Sequence, residues 1–159
     1  MSGTRNVVAA KATDSKGRYA IVVSRFNADV TDGLLAGARL EFTERSVSPD
    51  RVETLYAPGA FEMPLIAKKL AKTGRYAGVV CLGCVIKGDT AHFEFISLGA
   101  ATGMMQASLE TEVPIAFGVL TTYNQDQAVV RSRADAHNKG REAAAACVES
   151  AMVLSQIGR

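Results

Sequence analysis

The chain has no tryptophan, and only two of its 159 residues are histidine, His92 and His137. Proton transfer near neutral pH falls most readily to imidazole, so its candidates are few. Cysteine is scarce too. Three cysteines, an odd number, fit a reducing compartment better than a disulfide framework. Neither sign of charge dominates: 18 basic and 16 acidic residues leave +2, and Lys and Arg form no run. A nucleic-acid surface is therefore not expected. No apolar stretch reaches the length of a membrane-spanning helix. The first 18 residues hold no sustained apolar core of the kind a signal peptide needs. These absences point to a cytoplasmic protein with no membrane and no nucleic-acid partner. No repeat, low-complexity tract or linker is visible. A chain of this length is expected to form one α/β domain over residues 18–159, preceded by a flexible arm at 1–17.

What is present is strand–helix alternation. The apolar runs Arg18–Ser24, Val52–Ala57, Ala77–Leu82 and Pro114–Leu120 read as strands. Between and after them come helical patterns at Thr31–Arg45, Phe61–Lys72, Phe93–Glu110, Gln125–Arg133 and Gly140–Gln156. Pro64 falls in a first helical turn, where proline is tolerated. Asn138 is the expected N-cap of the last helix. Such alternation predicts a three-layer α/β/α sandwich around a four-stranded parallel sheet, flavodoxin-like in architecture.

In open α/β sheets, ligands collect outside the carboxyl ends of the strands. Those ends carry Arg25-Phe26-Asn27, Pro58-Gly-Ala-Phe-Glu62, the stretch from Cys84 to His92, and Thr121-Thr122-Tyr123-Asn124. Phe26 either caps the core or stacks on a planar ring. Glu62 complements a helix dipole or binds a ligand. Gly88-Asp89-Thr90 caps a helix or cradles a phosphate, without the lysine–serine pair of a Walker motif. His92 is structural or moves protons, and His137 reads as surface. Arg131–Arg133 with Lys139 is a solvated basic face or a phosphate grip. Cys81 and Cys84 form a C-x2-C that straddles a strand end. They lie on opposite faces if the strand continues, and no second pair completes a zinc site, so neither redox nor metal chemistry is expected. Cys147 reads as a small core residue. Gly99 and Gly103, four apart on the third helix, predict close approach of another helix, from within the chain or from a neighbouring subunit.

Together these motifs carry a family resemblance. Arg25-Phe26-Asn27, Pro58-Gly-Ala-Phe-Glu-Met-Pro64, Gly83-Cys-Val-Ile-Lys-Gly-Asp-Thr-Ala-His92, Phe117-Gly118, and Arg131 with Asn138-Lys-Gly140 occur in the order and with the gaps of the lumazine synthases. The chain resembles that family from about Arg18 to Ile157. The resemblance implies condensation of 5-amino-6-(D-ribitylamino)uracil with 3,4-dihydroxy-2-butanone 4-phosphate in riboflavin biosynthesis, with release of phosphate and water and no cofactor. It implies that Phe26 stacks on the pyrimidine beside Asn27, and that Ala60, Phe61 and Glu62 hold the ribityl chain. Cys84, Val85 and Ile86 would line the pyrimidine pocket, and Gly88, Asp89, Thr90 and Arg131 would bind phosphate. Phe117, Arg131 and Lys139 would come from an adjacent subunit, and His92 would shuttle protons. A homopentamer, alone or assembled into an icosahedral shell, is implied, with riboflavin synthase as a partner. In that assembly the Gly99/Gly103 face would suit the five-fold axis. Arg131-Ser132-Arg133 departs from the Arg-Ala-Gly of many members, so Arg133 would share or compete for the phosphate role. A flavin-binding electron carrier of similar architecture would want a hydroxyl- and glycine-rich loop after the first strand, which Ser24-Arg-Phe-Asn27 is not.

Overall fold

The computed structural model describes residues 11–158. The central sheet is parallel and four-stranded, in the order β2-β1-β3-β4, with β1 at Tyr19–Ser24, β2 at Val52–Ala57, β3 at Gly78–Ile86 and β4 at Ile115–Thr122. Among the described residues, five α-helices accompany it: α1 (Ala28–Glu44), α2 (Met63–Lys72), α3 (His92–Thr111), α4 (Gln125–Arg131) and α5 (Lys139–Ile157). Side chains alternate across each strand. Tyr19, Ile21, Val23, Val80 and Leu82 therefore pack with α1 and α5, and Ala20, Val22, Val79 and Cys81 with α2 and α3. This is the three-layer sandwich predicted from the alternation. Every residue of β1 is buried, as expected of a parallel sheet covered on both faces. Among the described residues, no helix is long and apolar enough to cross a membrane.

Several boundaries differ from those expected of the sequence. Strand β3 runs four residues past Leu82, to Ile86, because its last residues pair with an equally extended β4: Gly83 with Val119, and Ile86 with Thr122. β1 pairs with β3 only as far as Val23 and Leu82, so β3 and β4 project beyond it as a two-stranded ledge. With the strand continued, Cys81 and Cys84 do fall on opposite faces, in separate core clusters. Helix α1 starts at Ala28, three residues earlier than predicted, after Asn27 turns into the left-handed region (φ 57°). The helix expected from Phe61 opens as a 3-10 turn, Ala60–Glu62, and becomes α-helical at Met63.

The Gly99/Gly103 face meets an element of its own chain, the within-chain alternative of the close approach expected from the sequence. A Cβ at Gly103 would lie 2.8 Å from Pro64 Cβ, and one at Gly99 2.9 Å from Phe61 Cε2. The glycines thus let α3 press onto the start of α2 in the same chain.

Residues 1–10 of the expected arm lie outside the described residues. Residues 11–17 are fastened to the body. Asp14 N–H donates to Arg45 O at 3.0 Å. Its carboxylate accepts from Tyr19 Oη at 2.7 Å and from the N–H groups of Lys16 and Gly17. Lys11 pairs with Glu41 at 3.1 Å, beside Arg45 at 2.6 Å and Arg141 at 3.1 Å on the same buried carboxyl group. Burial pushes the Glu41 pKa up, but the three cations outweigh it and hold the group below its ordinary value.

Asn138 caps α5 as predicted, with Oδ1 accepting from Arg141 N at 3.1 Å. It also does more. The side chain is buried, and Nδ2 donates to the carbonyls of Gly33, Ser132 and Arg133 at 3.0, 3.1 and 2.9 Å. One amide thus joins α1, the turn after α4 and the start of α5. Asn138→Ala removes the cap and leaves buried carbonyls unpaired, so chemical denaturation should register a loss of about 2–4 kcal/mol. The three cysteines are free and buried. Burial pushes the Cys81 thiol up to about 12 and Cys84 up to about 11, and raises Cys147 as well. The folded protein should therefore react slowly with a thiol reagent at about pH 8, and release all three thiols only on unfolding.

Candidate active site

Three strand ends meet at one cavity of about 520 Å³. β1 contributes Ser24, Phe26 and Asn27; the turn after β2 contributes Gly59 to Glu62; the end of β3 contributes Cys84, Val85 and Ile86; and α3 adds His92 and Ile96. Backbone and side-chain hydrogen bonds hold these ends together. Arg25 N–H donates to Ala57 O at 3.0 Å, tying β1 to β2. Asn27 Nδ2 donates to Cys84 O at 3.0 Å, tying β1 to β3. The left-handed backbone of Asn27, which asparagine tolerates better than most residues, leaves this amide free to cross the gap.

Phe26 is 67% exposed and Phe61 59%, a high exposure for phenylalanine that leaves apolar rings facing the cavity mouth. Gly59 supplies the floor between them. A Cβ there would lie 3.2 Å from both Glu62 Oε2 and Phe26 Cδ2, so the carboxylate and the ring converge over a residue with no side chain. An aromatic face, a carboxylate and an imidazole around one apolar-walled cavity suit a planar heterocycle with a polyhydroxyl tail and exchangeable protons. The Cys84 thiol stays neutral, because burial and the nearby Asp29 charge raise its pKa. What Cys84 offers is its carbonyl, already engaged by Asn27.

Lys87 to Ala91 form the exposed loop between β3 and α3. Lys87 N–H donates to Thr122 O at 2.9 Å, anchoring the loop to β4. Gly88, Asp89 and Thr90 stand at the N-terminus of α3, beside His92 in the chain but outside the lining of this cavity. Thr90 Oγ1 accepts a long 3.4 Å hydrogen bond from His92 N. Tyr123 flanks the loop, with its ring 5.6 Å from Lys87 Nζ and 6.2 Å from the Phe93 ring.

Phe117, Arg131 and Lys139 lie elsewhere. They line a second cavity of about 530 Å³ between β4, α4 and α5, whose lining shares no residue with the first. There Arg131 Nη1 donates to Gln127 O at 2.9 Å, and Lys139 Nζ pairs with Glu142 at 2.9 Å. The same wall holds His137 and Glu142, which the sequence reading assigned no part; Arg133 is not in it. One signal for His137 and Glu142 was available, since they bracket Asn138 and Lys139 at the start of α5. A larger cavity, about 810 Å³, opens at the other end of β4 around Pro114, Ile115 and the later half of α5. It faces the amino end of that strand and has acidic groups but no histidine, lysine or arginine in its wall.

The match to known proteins covers nearly the same span as the motifs. Residues 16–155 fit the family model for 6,7-dimethyl-8-ribityllumazine synthase. The chain is 62% identical over 140 residues to 6,7-dimethyl-8-ribityllumazine synthase 1 of Caulobacter vibrioides, covering 88% of this chain and 92% of that one. It is 47% identical over 142 residues to the 6,7-dimethyl-8-ribityllumazine synthase of Deinococcus radiodurans, covering 89% and 92%. Against the protein of that name in Salinibacter ruber it is 46% identical over 140 residues, covering 88% and 90%. With a family match over most of its length and a cavity bounded by the family's own motifs, the chain belongs to the 6,7-dimethyl-8-ribityllumazine synthase family.

Proposed function

We infer that the protein makes 6,7-dimethyl-8-ribityllumazine from two small molecules, 5-amino-6-(D-ribitylamino)uracil and 3,4-dihydroxy-2-butanone 4-phosphate. It acts as a cofactor-independent transferase of riboflavin biosynthesis. The observation that carries this reading is the single cavity shared by Phe26, Glu62 and His92. Phe26 stacks on the pyrimidine, and Asn27 holds the corner that presents it. Ala60, Phe61 and Glu62 receive the ribityl chain, whose hydroxyls donate to the carboxylate. Cys84, Val85 and Ile86 edge the ring. Gly88, Asp89 and Thr90 meet the phosphate at the N-terminus of α3, where free N–H groups and the helix dipole favour an anion.

The amine of the pyrimidine adds to the ketone and a Schiff base forms with loss of water. Phosphate is then eliminated, and the second nitrogen closes the ring with further loss of water. Every step moves protons and none needs a protein nucleophile. His92 stands where it can carry those protons. Holding both reactants in one cavity turns a second-order encounter into a local reaction, a gain at least as important as proton transfer.

Two separate half-sites favour a site completed by a second copy. One chain carries the Phe26 cavity and, elsewhere, a wall with Phe117, Arg131 and Lys139. An exposed apolar stripe of Phe95, Leu98, Met105 and Leu109 along one face of α3 offers contact area for such a neighbour. We read the assembly as a cytoplasmic homopentamer able to build an icosahedral shell, and riboflavin synthase as the partner that consumes the product. A sedimentation mass equal to one chain would overturn the shared site.

Mixing the protein with both substrates should produce lumazine fluorescence and inorganic phosphate together; absence of both overturns the function. His92→Ala should slow turnover by about 10²–10⁴-fold without abolishing it. Arg131→Ala should raise KM for the phosphorylated substrate far more than for the diamine, and unchanged kinetics with that substrate would remove Arg131 from the phosphate site.

A further inference from the structure

The second cavity holds more charge chemistry than the roles assigned above use. Its ionisable wall residues are Arg131, His137, Lys139 and Glu142. A phosphomonoester carries about −1.5 to −2 charges near neutral pH. The two permanent cations do not meet it unopposed. Glu142 holds the Lys139 ammonium at 2.9 Å, and Arg131 spends one nitrogen on the Gln127 carbonyl at 2.9 Å. Glu142 therefore cancels one of the two positive charges. His137 is the remaining group in that wall able to add one.

The backbone that carries His137 is set firmly. Its N–H donates to Asp135 Oδ1 at 2.8 Å. The next residue is the buried Asn138, whose own N–H donates to Asp135 O at 3.2 Å and whose amide grips three carbonyls. The imidazole is thus presented from a pinned turn, while most of its neighbours in the wall come from regular elements. Arg131 lines the same wall from α4, and Lys139 and Glu142 from α5. Arg133 and Asp135 flank it in the turn, and β4 brings Phe117, Thr121 and Thr122, none of which ionises in the relevant range.

We propose that His137 is a positioning residue for the phosphate of the phosphorylated substrate, and that its charge makes capture of that substrate pH-dependent. This rests on the function inferred above. Imidazole ordinarily changes charge between about pH 5 and 8. A protonated imidazole in that wall would add a second net positive charge, and a neutral one only a hydrogen-bonding group. The phosphorylated substrate is held more weakly as pH rises, beyond what its own ionisation explains.

The test measures KM for the phosphorylated substrate, at saturating diamine, for wild type, His137→Gln and His137→Lys. At about pH 6, His137→Gln should raise KM about three- to tenfold, and at about pH 8 less than about twofold, with the change falling mainly on KM. His137→Lys, which keeps a permanent charge, should hold KM low at both pH values. Inhibition by inorganic phosphate, measured on the same proteins, should weaken in step with KM. The lysine variant also guards against a folding defect, since a merely structural histidine would be lost in both variants alike. Equal KM values for wild type and His137→Gln at both pH values would overturn the proposal. So would His137→Lys behaving like His137→Gln. Failure of the wild-type protein to form lumazine at all would overturn the underlying function, and this inference with it.

Discussion

A parallel sheet covered on both faces leaves polar chemistry only one place to sit, the ends of its strands. In this protein the ends do not stay together by strand pairing alone, because β1 stops pairing with β3 at Val23 and Leu82 while β3 and β4 run on. The Asn27 amide closes the resulting step by donating to the Cys84 carbonyl. On that bond depends the direction in which the Phe26 corner faces, and so whether ring, carboxylate and imidazole share one cavity. A part-buried hydrogen bond of this kind contributes only about 0.5–1.5 kcal/mol to stability. Its weight here is geometric, since a misplacement of about 1 Å can slow a reaction between juxtaposed groups by about 10²-fold.

The same economy governs the far side of the sheet. Asn138 uses one buried side chain to fix α1, the turn after α4 and α5. That junction presents Arg131, His137 and Lys139 on a rigid wall. The candidate site residues lie in two cavities whose linings share no residue, and α3 carries an exposed apolar stripe.

Much of the fold was legible because its signals are local. Buried strands such as Tyr19–Ser24 announce themselves as apolar runs, and Asn138 announces the start of α5. The strand ends were harder. Cys84, Val85 and Ile86 looked like loop because glycine and polar residues surround them, yet pairing with β4 keeps them extended. Gly99 and Gly103 marked a close approach correctly, while the identity of the approaching element, the start of α2 in the same chain, is a long-range fact. His137 carries only a weak local signal, its place beside Asn138 and Lys139 at the start of α5, and nothing in the sequence tells a wall residue there from a surface one.

The order of residues along the chain determined the alternation of strands and helices, the motif set and the family, because each is written in short-range periodicity or in spacing along one dimension. Tertiary structure alone decided which strand ends share a cavity, that Phe117, Arg131 and Lys139 face a different one, and that Glu142 occupies the Lys139 ammonium. The reason is physical. Periodicity reports which face of an element is buried, whereas the meeting of two side chains depends on register, crossover and close packing between elements far apart in the chain.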